Sequence, residues 1–223
     1  LLVVKQKEIK LKMLASQINP HFLFNTLETI RMRAHLRNEG EIADVVMLLG
    51  KLMRRNLEIG SEKAPLSEEI ERVRSYLDIQ KFRYGDRLNY RIEIGEEALA
   101  ASVYPLLLQP LVENAIIHGL EMKEEGGTVV VSAVSEEGKL AVTVSDDGVG
   151  MTEERVRELT KLLDVPEEEG TARIGLRNVH QRIRLTFGEE YGIRIASRPG
   201  TGTRIAMTMP AEVDGHVSGA SGG

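Results

Sequence analysis

The chain has 223 residues, 42% hydrophobic, 28% charged and 4% aromatic, with a net charge of −5 and no cysteine. That composition belongs to an ordinary folded chain of one or two domains. It excludes a disulfide framework, a thiolate metal site and a thiol nucleophile, and it lacks the basic, aromatic-studded face of a nucleic-acid binder.

Absence of cysteine fits a reducing compartment, so the expected location is cytoplasmic. Residues 1–62 carry ten Lys/Arg against seven Asp/Glu, whereas residues 63–223 carry nineteen against twenty-seven. This asymmetry predicts two modules, 1–62 and 63–210, followed by a small, polar, glycine-containing tail over 211–223 with no function of its own. The apolar run Leu1–Val4 is too short to span a bilayer, and Lys5, Lys7, Lys10 and Lys12 follow it. Such a stub fits a position just inside a membrane that a preceding segment crosses.

From about Leu2 to Leu36 the pattern is helical, with Asn38-Glu39-Gly40 as a break. The apolar stripe Leu11, Leu14, Ile18 continues at a seven-residue period to His21 and Asn25, two polar groups on a seam otherwise suited to a partner helix. Pro20 lacks an amide to bond back and disfavours helical geometry at Asn19, so the helix should bend there and expose the His21 imidazole. The plainer reading is a capping or core histidine beside a structural kink. A second helix, from about Glu41 to Ile59, carries the stripe Ile42, Val45, Val46, Leu49, Leu52, Met53. A two-helix hairpin of this size buries too little by itself, which predicts a homodimer closing a four-helix bundle.

Gly60 to Pro65 reads as a linker, and a helix is expected from Ser67 to about Tyr84. Leu88 to Ile94 alternates like a strand, and Tyr104-Pro105 opens an apolar helix from Leu106 to about His118. Thr128 to Val134 and Leu140 to Val144 form a hairpin around Glu137-Gly138; Thr152 to Leu163 and Ile174 to Phe187 are helical; strands Gly192 to Ser197 and Thr203 to Met209 close the module. The expected fold is an α-helical hairpin followed by a two-layer α/β sandwich.

Four glycine or asparagine elements punctuate the second module: Glu113-Asn114 with His118-Gly119, Asp146 to Met151, Gly170 through Ile174-Gly175-Leu176-Arg177-Asn178, and Gly200 to Thr203. Each alone is more often a turn than a ligand contact. A carboxylate at Asp146, just past a strand, can accept from the exocyclic amine of adenine, and Gly148 and Gly150 permit close approach of ligand and backbone. The amide oxygen of Asn114 suits magnesium held jointly with substrate phosphates. A hairpin turn and a buried amide are the plain alternatives. His35, His180 and His216 show no ligand spacing and read as structural or surface groups.

This order of elements resembles the ATP-binding (Bergerat) fold of the GHKL group, shared by gyrase, a heat-shock chaperone, histidine kinases and a mismatch-repair ATPase. With Pro20-His21-Phe22-Leu23-Phe24-Asn25 upstream, the chain resembles two-component sensor histidine kinases of the LytS and YesM type over roughly residues 12–210. The resemblance implies ATP and Mg2+ as cofactors, His21 as phosphoacceptor and an aspartate of a response regulator as the next acceptor. It further implies that Asn114 holds magnesium, Asp146 reads adenine and Thr203 supports it. Gly148, Gly150, Gly175 and Leu176 would shape the pocket, with Asp164 to Arg173 as a lid. It makes the chain the cytoplasmic portion of a bacterial plasma-membrane protein.

Departures from the family pattern remove some roles. Phe22 stands where many histidine kinases have an acidic residue after the acceptor, so the general base is left open. Ile117 replaces a lysine before His118-Gly119, leaving Arg173, Arg177 and His118 as phosphate contacts. Arg173 stands at the first glycine of the usual Gly-Ile-Gly-Leu turn, and Pro110 at the position of the water-activating glutamate of ATPase relatives. Asn25 either orients the His21 ring or a water, or sets helix register. Glu113 either assists proton removal, helps hold the metal, or is structural. The competing reading is a non-kinase ATP-driven dimer clamp in which His21 is only a helix residue.

Overall fold

The computed structural model describes residues 20–57, 62–165 and 174–212. The chain divides into two compact units, Leu1–Glu58 and Ile59–Gly223. The expectations that fall on the helix before Pro20, on linker residues 58–61, on residues 166–173 and on the tail from 213 lie outside the described residues.

In the first unit, helix α1 spans Pro20–Leu36 and α2 spans Gly40–Leu57. The turn between them is a Schellman stop. Asn38 takes a left-handed φ of 58°, its amide bonds to His35 O at 3.0 Å, and Glu39 N reaches back to Ala34 O at 3.0 Å. So short a connection folds α2 back antiparallel along α1, and the two pack together. Ala34, Ala43 and Leu52 are buried, but Phe22, Ile30, Met32, Leu36, Ile42 and Met47 stay exposed.

The second unit is a five-stranded sheet under helices. Its strands are β2 (Leu88–Ile94), β4 (Gly127–Glu136), β5 (Lys139–Asp146), β6 (Gly192–Arg198) and β7 (Gly202–Pro210), in the order β2-β4-β5-β7-β6. Only the β2–β4 pair is parallel. The β4–β5 hairpin closes through Glu137 and Gly138 at φ 51° and 74°, the left-handed pair whose twist suits a two-residue turn. Val129, Val131, Leu140, Val142, Val144, Ile205, Met207 and Met209 alternate onto one buried face, while the residues between them are wetter, as in a sheet covered on one side only. The covering helices are α3 (Leu66–Tyr84), α5 (Gln109–Asn114), α6 (Glu153–Asp164) and α7 (Ile174–Phe187). A short α4 (Glu96–Leu99) and the two-residue pair β1 (Ala64–Pro65) and β3 (Ser102–Val103) complete the unit and had no sequence signal.

Strands β4 and β5 run longer than expected, to Gly127–Glu136 and Lys139–Asp146, and three helix boundaries differ for a visible reason. Helix α3 starts at Leu66 rather than Ser67, because the Leu66 amide is taken by Ala101 O at 2.8 Å where β1 meets β3. Helix α5 starts at Gln109 rather than Leu106. The Glu69 carboxylate, 1% exposed, accepts from the amides of Leu106, Leu107 and Leu108 at 3.0, 3.1 and 3.4 Å, and Leu106 is drawn into a left-handed φ of 62°. Beyond Asn114 the helix widens into a π-helix, Ala115–Leu120, with Glu121 N bonding to Ile116 O at 2.8 Å.

Where the chain enters this unit, the Lys63 ammonium pairs with the Glu212 carboxylate and lies 5.4 and 5.0 Å from the ring centroids of Tyr104 and Phe187. Ser102 N donates to Glu212 O at 2.6 Å, so residues 63 and 212, near the two ends of the unit's described span, meet at one corner.

Candidate functional site

Helix α1 exposes His21 one residue past its opening proline. One turn on, the Asn25 side-chain nitrogen lies 3.3 Å from each ring nitrogen of His21. An amide nitrogen only donates, so the ring nitrogen that it meets must carry a lone pair, which a neutral imidazole provides.

In the second unit a cleft of about 700 Å³ opens between the π-helical turn, α6, α7 and the sheet. Its size is that of a small-molecule site. Six elements build it. Helix α5 brings Pro110, Glu113 and Asn114, and the π-helical turn His118 and Gly119; α6 brings Arg155, Leu159, Leu162 and Leu163; α7 brings Gly175, Leu176 and Arg177; β6 brings Ile195 and β7 Thr203. Widening the helix by one residue per turn at Ala115 shifts His118 and Gly119 relative to Asn114, a local distortion that recurs at functional sites.

Asp146 ends β5 directly behind Gly119 and Thr203, at 9% exposure. Its Oδ1 accepts from the amides of Gly148 at 2.9 Å and Thr203 at 3.3 Å. Burial pushes its carboxyl up to about 6, and those two amides pull against the rise. Thr203 is itself fixed by Ser197, hydroxyl to hydroxyl at 2.9 Å. The glycines serve mainly to let protein meet protein here. A Cβ on Gly119 would come within 2.5 Å of the Asp146 carboxylate, one on Gly148 within 2.2 Å of Gly119 O, and one on Gly150, at φ 65°, within 1.9 Å of Arg198 O. A Cβ on Gly175 would meet Pro110 at 3.2 Å.

Arg177 carries the electrostatics of the cleft. It is 7% exposed, its Nε has no hydrogen-bond partner, and it makes no ion pair among the described residues. A buried, unpaired guanidinium is costly unless an anion completes it, and its planar fork suits phosphate oxygens. Glu113 accepts from Gln109 Nε2 at 2.8 Å, which turns its carboxylate along the helix. Among the described residues no three His, Cys, Asp or Glu side chains gather to hold a metal. A divalent ion would therefore need Asn114 or Glu113 together with ligand oxygens, the arrangement that magnesium favours.

The structure thus brings Glu113, Asn114, His118, Gly175, Leu176, Arg177 and Thr203 to one cleft, with Asp146 against its wall and Gly148 and Gly150 in the loop behind. His21 and Asn25 belong to the other unit, and Arg173 lies outside the described residues. Sequence reasoning missed Arg155, Leu159 and Leu162, whose only signal is one face of α6, and Gln109, whose spacing of four from Glu113 was there to be read.

Comparison with known proteins returns two family matches: "Histidine kinase" over residues 9–88 and "Histidine kinase-, DNA gyrase B-, and HSP90-like ATPase" over residues 105–213. The sensor histidine kinase YesM of Bacillus subtilis is 40% identical over 204 residues, covering 92% of this chain and 34% of that protein. The sensor protein LytS of Oceanobacillus iheyensis is 34% identical over 207 residues, covering 92% of this chain and 35% of that protein. Among solved structures, histidine kinase ThkA in complex with response regulator protein TrrA is similar in fold, with a TM-score of 0.51 at 16% identity, over 92% of this chain and 61% of that one.

Proposed function

The chain belongs to the histidine kinases and spans about a third of the length of the curated relatives it matches, and from that premise we propose that it is the kinase core of a sensor histidine kinase. In this reading the second unit binds ATP and the first unit carries the phosphoacceptor, His21. The observation that carries it is Arg177, a buried cation without an ion-pair partner among the described residues, in a cleft of nucleotide size.

Each residue then has a task. The Asp146 carboxylate accepts from the adenine amine, held in place by the amides of Gly148 and Thr203. Arg177 and the exposed His118 meet phosphate oxygens, and Asn114 offers an amide oxygen to magnesium, with Glu113 beside it. Bound magnesium ATP supplies the γ-phosphoryl group and neutralises its charge. A neutral ring nitrogen of His21, with the Asn25 amide beside the ring to orient it, attacks phosphorus in line; the bond to the β–γ bridging oxygen breaks, ADP leaves, and the ring gives up a proton. Pro110 cannot activate water, which favours transfer to the imidazole over hydrolysis. The exposed apolar residues of α1 and α2 support a homodimer through the first unit. ThkA is seen in complex with the response regulator protein TrrA, and an aspartate on such a partner is the proposed next acceptor here. No helix among the described residues is long and apolar enough to cross a membrane, so any membrane attachment is assigned to a further segment of the whole protein.

Incubation with γ-labelled ATP and magnesium should leave label on the chain that is acid-labile and alkali-stable, and His21→Gln should abolish it while keeping nucleotide affinity within about threefold. Label that persists in His21→Gln puts the acceptor elsewhere. Tight ATP binding with no covalent label in the parent chain favours the clamp.

A further inference from the structure

His180 lies outside the cleft yet touches three of the elements that build it. It sits on α7 at 8% exposure, packed so tightly over Gly192 that a Cβ there would come within 2.8 Å of its Nδ1. Its Nδ1 accepts from the amide of Ile193, the second residue of β6, at 2.9 Å. A nitrogen that accepts carries no proton, so Nε2 must carry it, and Nε2 lies 3.2 Å from Oδ1 of Asp164, the last residue of α6. One ring therefore joins β6, α7 and the end of α6, and its tautomer is fixed by the backbone.

Two neighbours on α7 reinforce the same point. Arg184 pairs with Asp164, and Gln181 Nε2 donates to Val165 O at 2.7 Å, satisfying a carbonyl left over where α6 stops. A carboxylate at a helix C-terminus opposes the macrodipole, so Asp164 is a poor choice for α6 taken alone. It becomes favourable only because α7 brings His180 and Arg184 to meet it. The sequence thus gives up local stability at the end of α6 to lock that end to α7.

The locked elements are walls of the cleft. From α6 come Arg155, Leu159, Leu162 and Leu163, from α7 Gly175, Leu176 and Arg177, and from β6 Ile195. We propose that His180, held as the Nε2–H tautomer between Ile193 and Asp164, is a positioning residue that sets the spacing of the α6 and α7 walls of the nucleotide cleft. It touches neither ligand nor reacting atoms. Its effect falls on how well the cleft fits ATP, not on the intrinsic rate of transfer. This rests on the reading of the cleft as an ATP site.

The test uses the full chain with fluorescent N-methylanthraniloyl-ATP for affinity and γ-labelled ATP for the rate of labelling. In His180→Ala the affinity should fall at least about tenfold and the KM for ATP rise in step, while the rate at saturating ATP stays within about threefold, since misplaced walls cost binding before chemistry. Asp164→Asn keeps an acceptor for the Nε2 proton and should lose less affinity than Asp164→Ala, which removes it. This pair tests the proposal even where His180→Ala folds poorly. Parent-like affinity in His180→Ala, or equal losses in Asp164→Asn and Asp164→Ala, would overturn it. A fall in the saturating rate with KM unchanged would also overturn it. Failure of the parent chain to bind the probe would instead refute the ATP site itself.

Discussion

The Asp146 carboxyl, pushed up to about 6 by burial, holds its proton more tightly in the folded chain than in the unfolded one, where the ordinary value is 3.8. Between those two pH values the folded state carries more of the proton. Stability from this group is therefore greatest below pH 4 and is lost as pH rises toward 6. At pH 7 the buried ionised carboxylate costs on the order of 2 to 3 kcal/mol. Asp146→Asn keeps an oxygen for the amides of Gly148 and Thr203 and removes the charge. Urea unfolding at pH 7 should show the variant more stable by about 1 to 3 kcal/mol, with the gain shrinking toward pH 4. The same variant should lose adenine nucleotide binding, because an amide nitrogen presents a donor where the adenine amine needs an acceptor. In the parent, ADP affinity should decline below about pH 6 as the carboxyl protonates, a step absent from the variant. An unchanged affinity in Asp146→Asn would remove this residue from the site.

Helix α5 shows what a one-dimensional pattern can and cannot carry. Its apolar residues and proline were readable, and so was the helical character of the stretch, but its first turn is set by a carboxylate 37 to 39 residues earlier in the chain. No local rule contains Glu69. Removing it by Glu69→Ala would strand the amides of Leu106, Leu107 and Leu108 and leave Arg72 with only its longer contact to Glu68, at a cost of about 3 to 5 kcal/mol in urea unfolding. The helix that carries Asn114 would shift with its start, so nucleotide affinity should fall as well. A variant as stable as the parent would show that water replaces the carboxylate without loss. Where periodicity and local turn chemistry agree, as in α7 over Ile174–Phe187 and in the Glu137-Gly138 hairpin, expectation and structure coincide. The π-helical turn escaped notice because one extra residue per turn leaves the apolar spacing of Ala115, Ile116 and Leu120 almost intact.

Across the whole chain, the cleft residues that were legible, Asn114, Gly175 and Thr203 among them, sit near the ends of their elements. Asparagine, glycine and charged residues at such ends lack an obvious packing role, so they stand out in the sequence. The walls were not legible, since Leu159 and Leu162 look like any amphipathic helix face. The first unit leaves Phe22, Ile30, Met32 and Leu36 in water, more apolar surface than two helices can hide from one another. Sedimentation should therefore find a dimer at micromolar concentration; a monomer would refute the bundle. In exchanged mixtures of His21→Gln and Asp146→Asn chains, label on the Asp146→Asn chain would establish transfer between subunits. Absence of label after proven exchange would assign it within one chain.

The corner where Lys63, Tyr104, Phe187 and Glu212 meet bears on how such a module travels between proteins. A folded body that brings Lys63 and Glu212 side by side asks little of whatever flanks that span. It can be spliced behind a different upstream segment, or let into a surface loop of a host, without stretching either chain. The clasp acts as a hem: Glu212 binds the edge both through Lys63 and through the Ser102 amide, which resists fraying at residue 212. Recombination can then exchange whatever precedes residue 62 while the cleft, far along α7 from this seam, keeps its shape.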